Sequence, residues 1–251
     1  MKSKQIILLI TLLFSQILFA RDTVRVGTFM LAPFMMESDN GKQTTGVGAD
    51  FWRKFAGPQM NVDVEMFGPF PIKRALKLLE DGSIDVIPNM TKIPEREEKF
   101  LFSEVPLSEI TPCIVVRKDN SLKKVTKQED LYNFKMVHLD ATYIPVILRH
   151  PTIKIEFLTG DSYFQGLIDM LEADRVDAFI HINYFSLKYE LMIRGKKDTY
   201  RILELPDEKI RVYCVFSKTA RGKKFCDMFN SVNASLFNAH VYDSIAEEMV
   251  K

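Results

Sequence analysis

The sequence predicts an α/β fold built from two successive units, and three observations carry that expectation. From Thr23 onward, short β-rich runs alternate with amphipathic helical patterns in βαβα order, and the order starts again after the polar stretch 118–127. The segments Asp81-Gly-Ser-Ile-Asp85-Val-Ile and Ala173-Asp-Arg-Val-Asp177-Ala-Phe share one plan of helix, turn, aspartate and strand. At 251 residues, 47% apolar and 27% charged, the chain can bury one large core or two smaller ones and is far from a disordered composition.

In the first unit, residues 23–29, 61–66, 85–88 and 110–117 read as strands, rich in β-branched and apolar side chains. Helices are expected near 47–56, 72–80 and 95–99. The second of these has Ala75, Leu76, Leu78 and Leu79 on one apolar face, and Gly82 supplies its stop. The second unit has strands expected at 135–139, 153–158 and 177–181, and helices at 143–149, 163–173 and 184–193. Leu167, Ile168, Met170 and Leu171 form the apolar face of its middle helix, with Ser162 as N-cap. A last strand at 210–216 and helices near 222–237 and 243–250 complete the chain.

The first twenty residues differ in kind. Lys2 and Lys4 precede an apolar run from Ile6 to Phe14, and Ser15 to Ala20 follow before Arg21 and Asp22. This order reads as a signal peptide cleaved after Ala20, giving a periplasmic or secreted protein. The alternative, an N-terminal membrane anchor, needs about 20 apolar residues, and Thr11, Ser15 and Gln16 interrupt this run. Lys and Arg total 34 against 33 Asp and Glu, so removing two lysines leaves a net charge of −1, which argues against a nucleic-acid partner. Cys113, Cys214 and Cys226 allow at most one internal disulfide. None belongs to a CxxC, and the reading of buried core thiols is preferred.

Histidines 138, 150, 181 and 240 are scattered, with no HExxH and no Cys/His cluster at metal spacing, so neither a metal nor a cofactor is expected. There is no P-loop and no GxSxG, and Gly46-Val-Gly48 lacks the third glycine of a dinucleotide fingerprint. What remains is Pro88-Asn-Met-Thr91-Lys-Ile-Pro94-Glu-Arg96, expected between a strand end and a helix start. Free N–H groups, the Thr91 hydroxyl and the planar fork of Arg96 there suit a carboxylate. The competing reading is a solvated arginine paired with Glu95, Glu97 or Glu98.

Taken in order, Val26-Gly27-Thr28 with Pro33-Phe34, Gly46 with Asp50, Gly82 and Asp85 ahead of Thr91 and Arg96, Phe102-Ser103 with Pro106, and Arg175-Val-Asp177-Ala178 resemble the type II periplasmic solute-binding proteins of family 3, the polar-amino-acid-binding group. The resemblance spans residues 23–251. It implies two α/β lobes joined by two hinge strands, here 110–117 and 210–216. Lobe one would be 21–117 plus 211–251 and lobe two 118–210. It also implies a ligand cleft in which Arg96 clasps a carboxylate, Thr91, Asn89 and Thr142 offer polar contacts, and Phe34 belongs to the binding motif. Phe70 is an aromatic wall or, equally, a core ring.

The sequence departs from the family where the second threonine becomes Ile93, an aromatic becomes Leu31, and the lobe-two aspartate that receives an α-amino group becomes Ile182. His181 and Asn183 flank that position and carry no dependable negative charge at neutral pH. Ordinary α-amino acids are therefore expected to bind poorly unless Asp161 compensates. The reading that results is a monomeric, non-catalytic binding protein that closes on a small carboxylate and presents it to a membrane transporter or a sensor. The rival is an exported enzyme similar to cyclohexadienyl dehydratases, with Glu95, Asp140, Asp161 or His181 as its acid or base.

Overall fold

The computed structural model describes residues 21–38, 41, 43–140, 142–159, 163–206 and 208–249. The leader expectation (residues 1–20), Asp161 and the Ser162 cap lie outside them. The chain forms β1 (Thr23–Phe29), β2 (Met36–Glu37), β3 (Thr44–Thr45), helix α1, β4 (Asp63–Phe70), α2 (Ile72–Glu80), β5 (Val86–Thr91), α3 (Pro94–Glu97), β6 (Leu101–Phe102), β7 (Ser108–Ile110) and β8 (Cys113–Arg117). There follow β9 (Lys135–Leu139), β10 (Lys154–Leu158), α4 (Tyr163–Glu172), β11 (Ala178–His181), α5 (Tyr184–Ile193), β12 (Tyr200–Glu204), β13 (Ile210–Phe216), α6 (Ala220–Asn238) and α7 (Val241–Met249). Helix α1 joins Val47–Phe51, a widened π turn Trp52–Ala56, and Gly57–Met60. Pro58, with no N–H for the carbonyl four residues back, sits just after the widened turn.

The strands sort into two main sheets. One runs β4-β1-β5-β13-β6 with β7 on β13, the other β10-β9-β11-β8-β12. In each, the strands of the βαβ part are parallel, and an antiparallel strand joins them, β13 on β5 in the first sheet and β8 on β11 in the second. Both faces of each sheet are covered, so the central strands are apolar along their length. In β8, Cys113 and Val115 enter one core with Phe164, Phe179 and Leu187, while Ile114 and Val116 enter another with Met136 and Leu148. The first sheet likewise separates a core built on Trp52, Phe216, Phe225 and Phe229 from one built on Leu79, Ile84, Ile87 and Met90.

The repeated Asp plan has a structural meaning. Asp85 accepts the Arg25 N–H at 2.8 Å, and its own N–H goes to the Arg25 carbonyl at 2.8 Å. Asp177 stands in the same relation to Lys135, at 2.8 Å in both directions. The turn before each uses a left-handed residue, Gly82 at φ 76° and Asp174 at φ 54°. Asp85 is fully buried and also takes the side chains of Arg25 and Arg221.

Four expectations change. The run 110–117 is not one strand, because Thr111 and Pro112 interrupt it: Pro112 has no N–H to give a ladder. β7 pairs with β13 in the first sheet and β8 lies in the second, so residues 113–117 leave lobe one and Ile210 joins it. The chain crosses between sheets at 111–112 and 205–209, tied by Leu205 N–H to the Pro112 carbonyl at 2.9 Å. Residues 143–149 form only the 3₁₀ turn Val146–Leu148, since Pro145 and the β-branched Ile144, Val146 and Ile147 disfavour a longer helix. Strand β12 was not foreseen. Finally, β5 runs on to Thr91, and α3 is a single turn, so Asn89 and Thr91 are strand residues.

Candidate functional site

A cavity of about 410 Å³ lies between the two lobes. It is lined at the carboxyl ends of β1, β5, β9, β10 and β11, by Phe29 to Leu31, Asn89 to Thr91, His138 to Asp140, Thr159 and Ile180 to Ile182, and by Pro69 to Lys73 where α2 begins. This is where open α/β sheets leave a crevice, because loops there diverge to opposite sides. Most of the lining is apolar, with Leu31, Phe70, Ile72, Met90, Leu167 and Ile182 supplying the walls.

Arg96 is the cavity's buried cation, 8% exposed. Its Nη1 donates to the Thr91 carbonyl at 3.0 Å and to Thr91 Oγ1 at 2.6 Å, which fixes the guanidinium relative to β5. Burial pulls its pKa below the usual arginine value, partly offset by Glu95. A guanidinium remains charged under any such shift at neutral pH. The β5 strand reaches this point through an irregularity: its register with β13 shifts between Tyr213 and Val215, and Asn89 sits at φ 61°. Asparagine tolerates that conformation, and such bulges re-aim side chains near sites. Asn89 Nδ2 donates to the Tyr242 hydroxyl, so α7 holds it.

The second lobe contributes two buried histidines. His138 Nε2 lies 2.9 Å from the Tyr143 carbonyl and 3.0 Å from Thr142 Oγ1, while Thr142 donates to the Leu139 carbonyl at 2.6 Å. Nε2 therefore carries the proton, and Nδ1 is buried with no hydrogen-bond partner among the described residues. His181 Nδ1 is 2.8 Å from the Asn183 carbonyl and 3.2 Å from the Asn183 N–H. The shorter contact decides the tautomer, because a bare nitrogen at 2.8 Å from a carbonyl oxygen would set lone pair against lone pair. The proton is then on Nδ1, which leaves Nε2 as the acceptor of a ring that lines the cavity. Burial, aided by His138, lowers the His181 pKa to about 4, and burial lowers that of His138 as well, so both rings are neutral at pH 7.

Ile182 belongs to an apolar cluster with Tyr143, Ile110, Ile210 and Val212, which packs the cleft floor onto the crossing strands. The lobes also meet directly: Lys73 Nζ is 3.1 Å from Asp140 Oδ2, Ser186 Oγ donates to the Ala32 carbonyl, and Phe185 packs on the first lobe's core.

Of the residues singled out from sequence, Arg96, Thr91, Asn89, Thr142 and Phe70 all line this one cavity. Phe70 also carries the Arg74 guanidinium 5.1 Å above its ring and packs on a core. Phe34 does not line it. Its ring, 3% exposed, stacks on Tyr242 at 5.9 Å inside the first core, because the turn 31–35 folds it away from the cleft. Sequence reasoning named His181 as a neighbour of Ile182 and as a candidate acid or base of the enzymatic rival, and gave His138 no role. Both stand at a strand's carboxyl end, the one signal that marks them. The three cysteines are free and buried, and burial raises each thiol pKa, that of Cys226 to about 11.

Comparison with solved structures finds the same fold. An ancestral arginine-binding protein bound to arginine is 24% identical over 92% of this chain and 100% of its own, with a TM-score of 0.71. The VFT2 domain of Bordetella pertussis BvgS is 19% identical over 90% and 93%, at 0.73. An ancestral amino-acid-binding protein described as a precursor of cyclohexadienyl dehydratase is 22% identical over 91% and 96%, at 0.69. No curated protein matches the chain. The sequence profile of the bacterial extracellular solute-binding proteins, family 3, matches residues 24–247, across both sheets and the cleft between them, and the chain belongs to that family.

Proposed function

We propose that the cleft captures a small carboxylate-bearing solute, an amino acid or a related acid, between the two lobes and hands it, in the closed form, to a membrane transporter permease or a sensor protein. The observation that carries this reading is Arg96: a buried guanidinium, oriented by Thr91, in the wall of an otherwise apolar cavity shared by both lobes. A buried cation in such surroundings stabilises an anion strongly, and its planar fork matches a carboxylate. A ligand held by both lobes favours the closed arrangement by the difference between its affinities for the two states.

The same reading makes the protein an exported one, periplasmic or secreted, with residues 1–20 removed. Among the described residues no helix is long and apolar enough to cross a membrane. Mass spectrometry of the mature protein is expected to find Arg21 at its start, and recovery of Met1 to Lys4 in it would contradict the export reading.

A thermal-shift screen of the chain 21–251 against amino acids, hydroxy and oxo acids, dicarboxylates and aromatic acids tests the function. A bound ligand raises stability by RT ln(1 + [L]/Kd). Carboxylates are expected to shift melting in the wild type and lose most of that shift in Arg96→Ala. The enzymatic alternative predicts turnover of cyclohexadienyl acids, which NMR over several hours would detect; binding without product is expected.

A further inference from the structure

We propose that the cleft selects a hydroxy acid with an apolar body, its carboxylate on Arg96 and its hydroxyl donating to His181 Nε2. This rests on the carboxylate reading above and specifies the ligand's second polar group. His181 ends β11, is 6% exposed and turns its Nδ1–H to the Asn183 carbonyl, so its ring offers the cavity one neutral lone pair. That acceptor has no hydrogen-bond partner among the described residues. The Thr142 hydroxyl donates to the Leu139 carbonyl, and one of the two Asn89 amide hydrogens goes to Tyr242. A ligand must therefore bring a donor or leave a buried acceptor unpaired.

The charge of that donor follows from the rest of the lining. Asp140 is the carboxylate among the described lining residues, and Lys73 holds it at 3.1 Å. Ile182 is committed to the apolar cluster on the crossing strands. An ammonium placed beside His181 would be desolvated against a neutral acceptor and hydrocarbon, which is costly for a charge. An oxo group would set its lone pairs against that of Nε2, and a bare methylene would leave Nε2 unanswered. A hydroxyl gives one neutral donor to one neutral acceptor. Leu31, Phe70, Ile72, Met90 and Leu167 take the apolar body, and about 410 Å³ accommodates a side chain of phenyl or isobutyl size.

The test is calorimetry on refolded, ligand-stripped protein with two matched series. One is 3-phenyllactate, phenylalanine, phenylpyruvate and hydrocinnamate; the other replaces the phenyl methyl group with isobutyl. In at least one series the hydroxy acid is expected to bind about tenfold tighter than the other three. His181→Leu should bring it down to the level of the unsubstituted acid, which itself stays unchanged, while His181→Gln, with an amide oxygen, should recover part. Should these variants fail to fold, the wild-type His181 Nε2 nitrogen resonance reads the same bond, moving upfield with the hydroxy acid and staying in place with the unsubstituted one. Tightest binding of the amino acid, equal binding of all members, an unmoved Nε2 resonance in the bound hydroxy acid complex, or no binding by either series would overturn the proposal. Arg96→Ala separates the two readings: unchanged hydroxy acid affinity there would refute the carboxylate site, whatever His181 does.

Discussion

Arg96 and His181 stand on opposite lobes, and each is explained by what burial does to charge. Arg96 stays a cation because guanidinium basicity exceeds any such penalty, and on the proposed function that charge is what the ligand carboxylate meets; Arg96→Ala is expected to cost about 2 to 5 kcal/mol of ligand binding by calorimetry. Arg96→Lys should restore only part, since an ammonium is a point charge and cannot reproduce the fork held by Thr91. His181 yields instead and becomes neutral, with its pKa lowered from 6.5 to about 4. A lowered histidine pKa means that the unfolded chain binds more protons below pH 6.5. Its contribution to stability is thus complete above about pH 6.5 and lost as pH falls towards 4, by up to roughly 3 kcal/mol. His138 acts in the same direction. Urea unfolding at pH 7.5 and 4.5 should show His181→Leu losing less stability on acidification than the wild type; an equal loss would contradict the neutral buried ring.

Among the elements, the paired aspartate turns make a like-for-like comparison. Asp85 and Asp177 each tie the start of a strand to its neighbour, but Asp85 is fully buried and takes two arginines whereas Asp177 is exposed. Asp85→Asn is therefore expected to cost about 1 to 3 kcal/mol in urea unfolding, and Asp177→Asn less than about 1. Equal costs would show that the arginine pairs contribute nothing. These turns were legible from sequence because their signal is local: an apolar helix face, a left-handed turn residue, an aspartate and an apolar strand. Helix α2, helix α5 and strands β9 and β13 were legible for the same reason. The break at Pro112 and the helix lost at 143–149 turned on prolines set inside apolar runs, where pattern favours continuation and the missing N–H forbids it. The extension of β5 to Thr91 depends on pairing with β13, some 120 residues away in sequence, which no local window contains. Thr91 and Arg96 came from ordered motifs and Asn89, Thr142 and Phe70 from the roles the resemblance implies, and all five line the cavity. Phe34 was misplaced because its motif position does not reveal which side of the turn 31–35 the ring takes.

At the scale of the molecule, two short crossings at 111–112 and 205–209 leave the lobes joined by little chain, while the cavity between them is lined by both. That is the arrangement in which hinge closure can be read by a partner. The cross-cleft pair Lys73–Asp140 is largely exposed, so it trims the closed state without holding it. Lys73→Ala is expected to change ligand affinity by no more than about fivefold, far less than Arg96→Ala; a larger loss would make the pair a principal clamp.

Whether one ligand is held by both lobes at the Arg96 cleft is read from backbone amide exchange with and without saturating ligand from the thermal-shift screen. Exchange slows where a ligand suppresses local opening. Slowing is expected together at residues 86–98 of the first lobe and at 138–146 and 180–184 of the second. Slowing confined to one lobe, or centred away from these segments while calorimetry shows a saturated site, would contradict it.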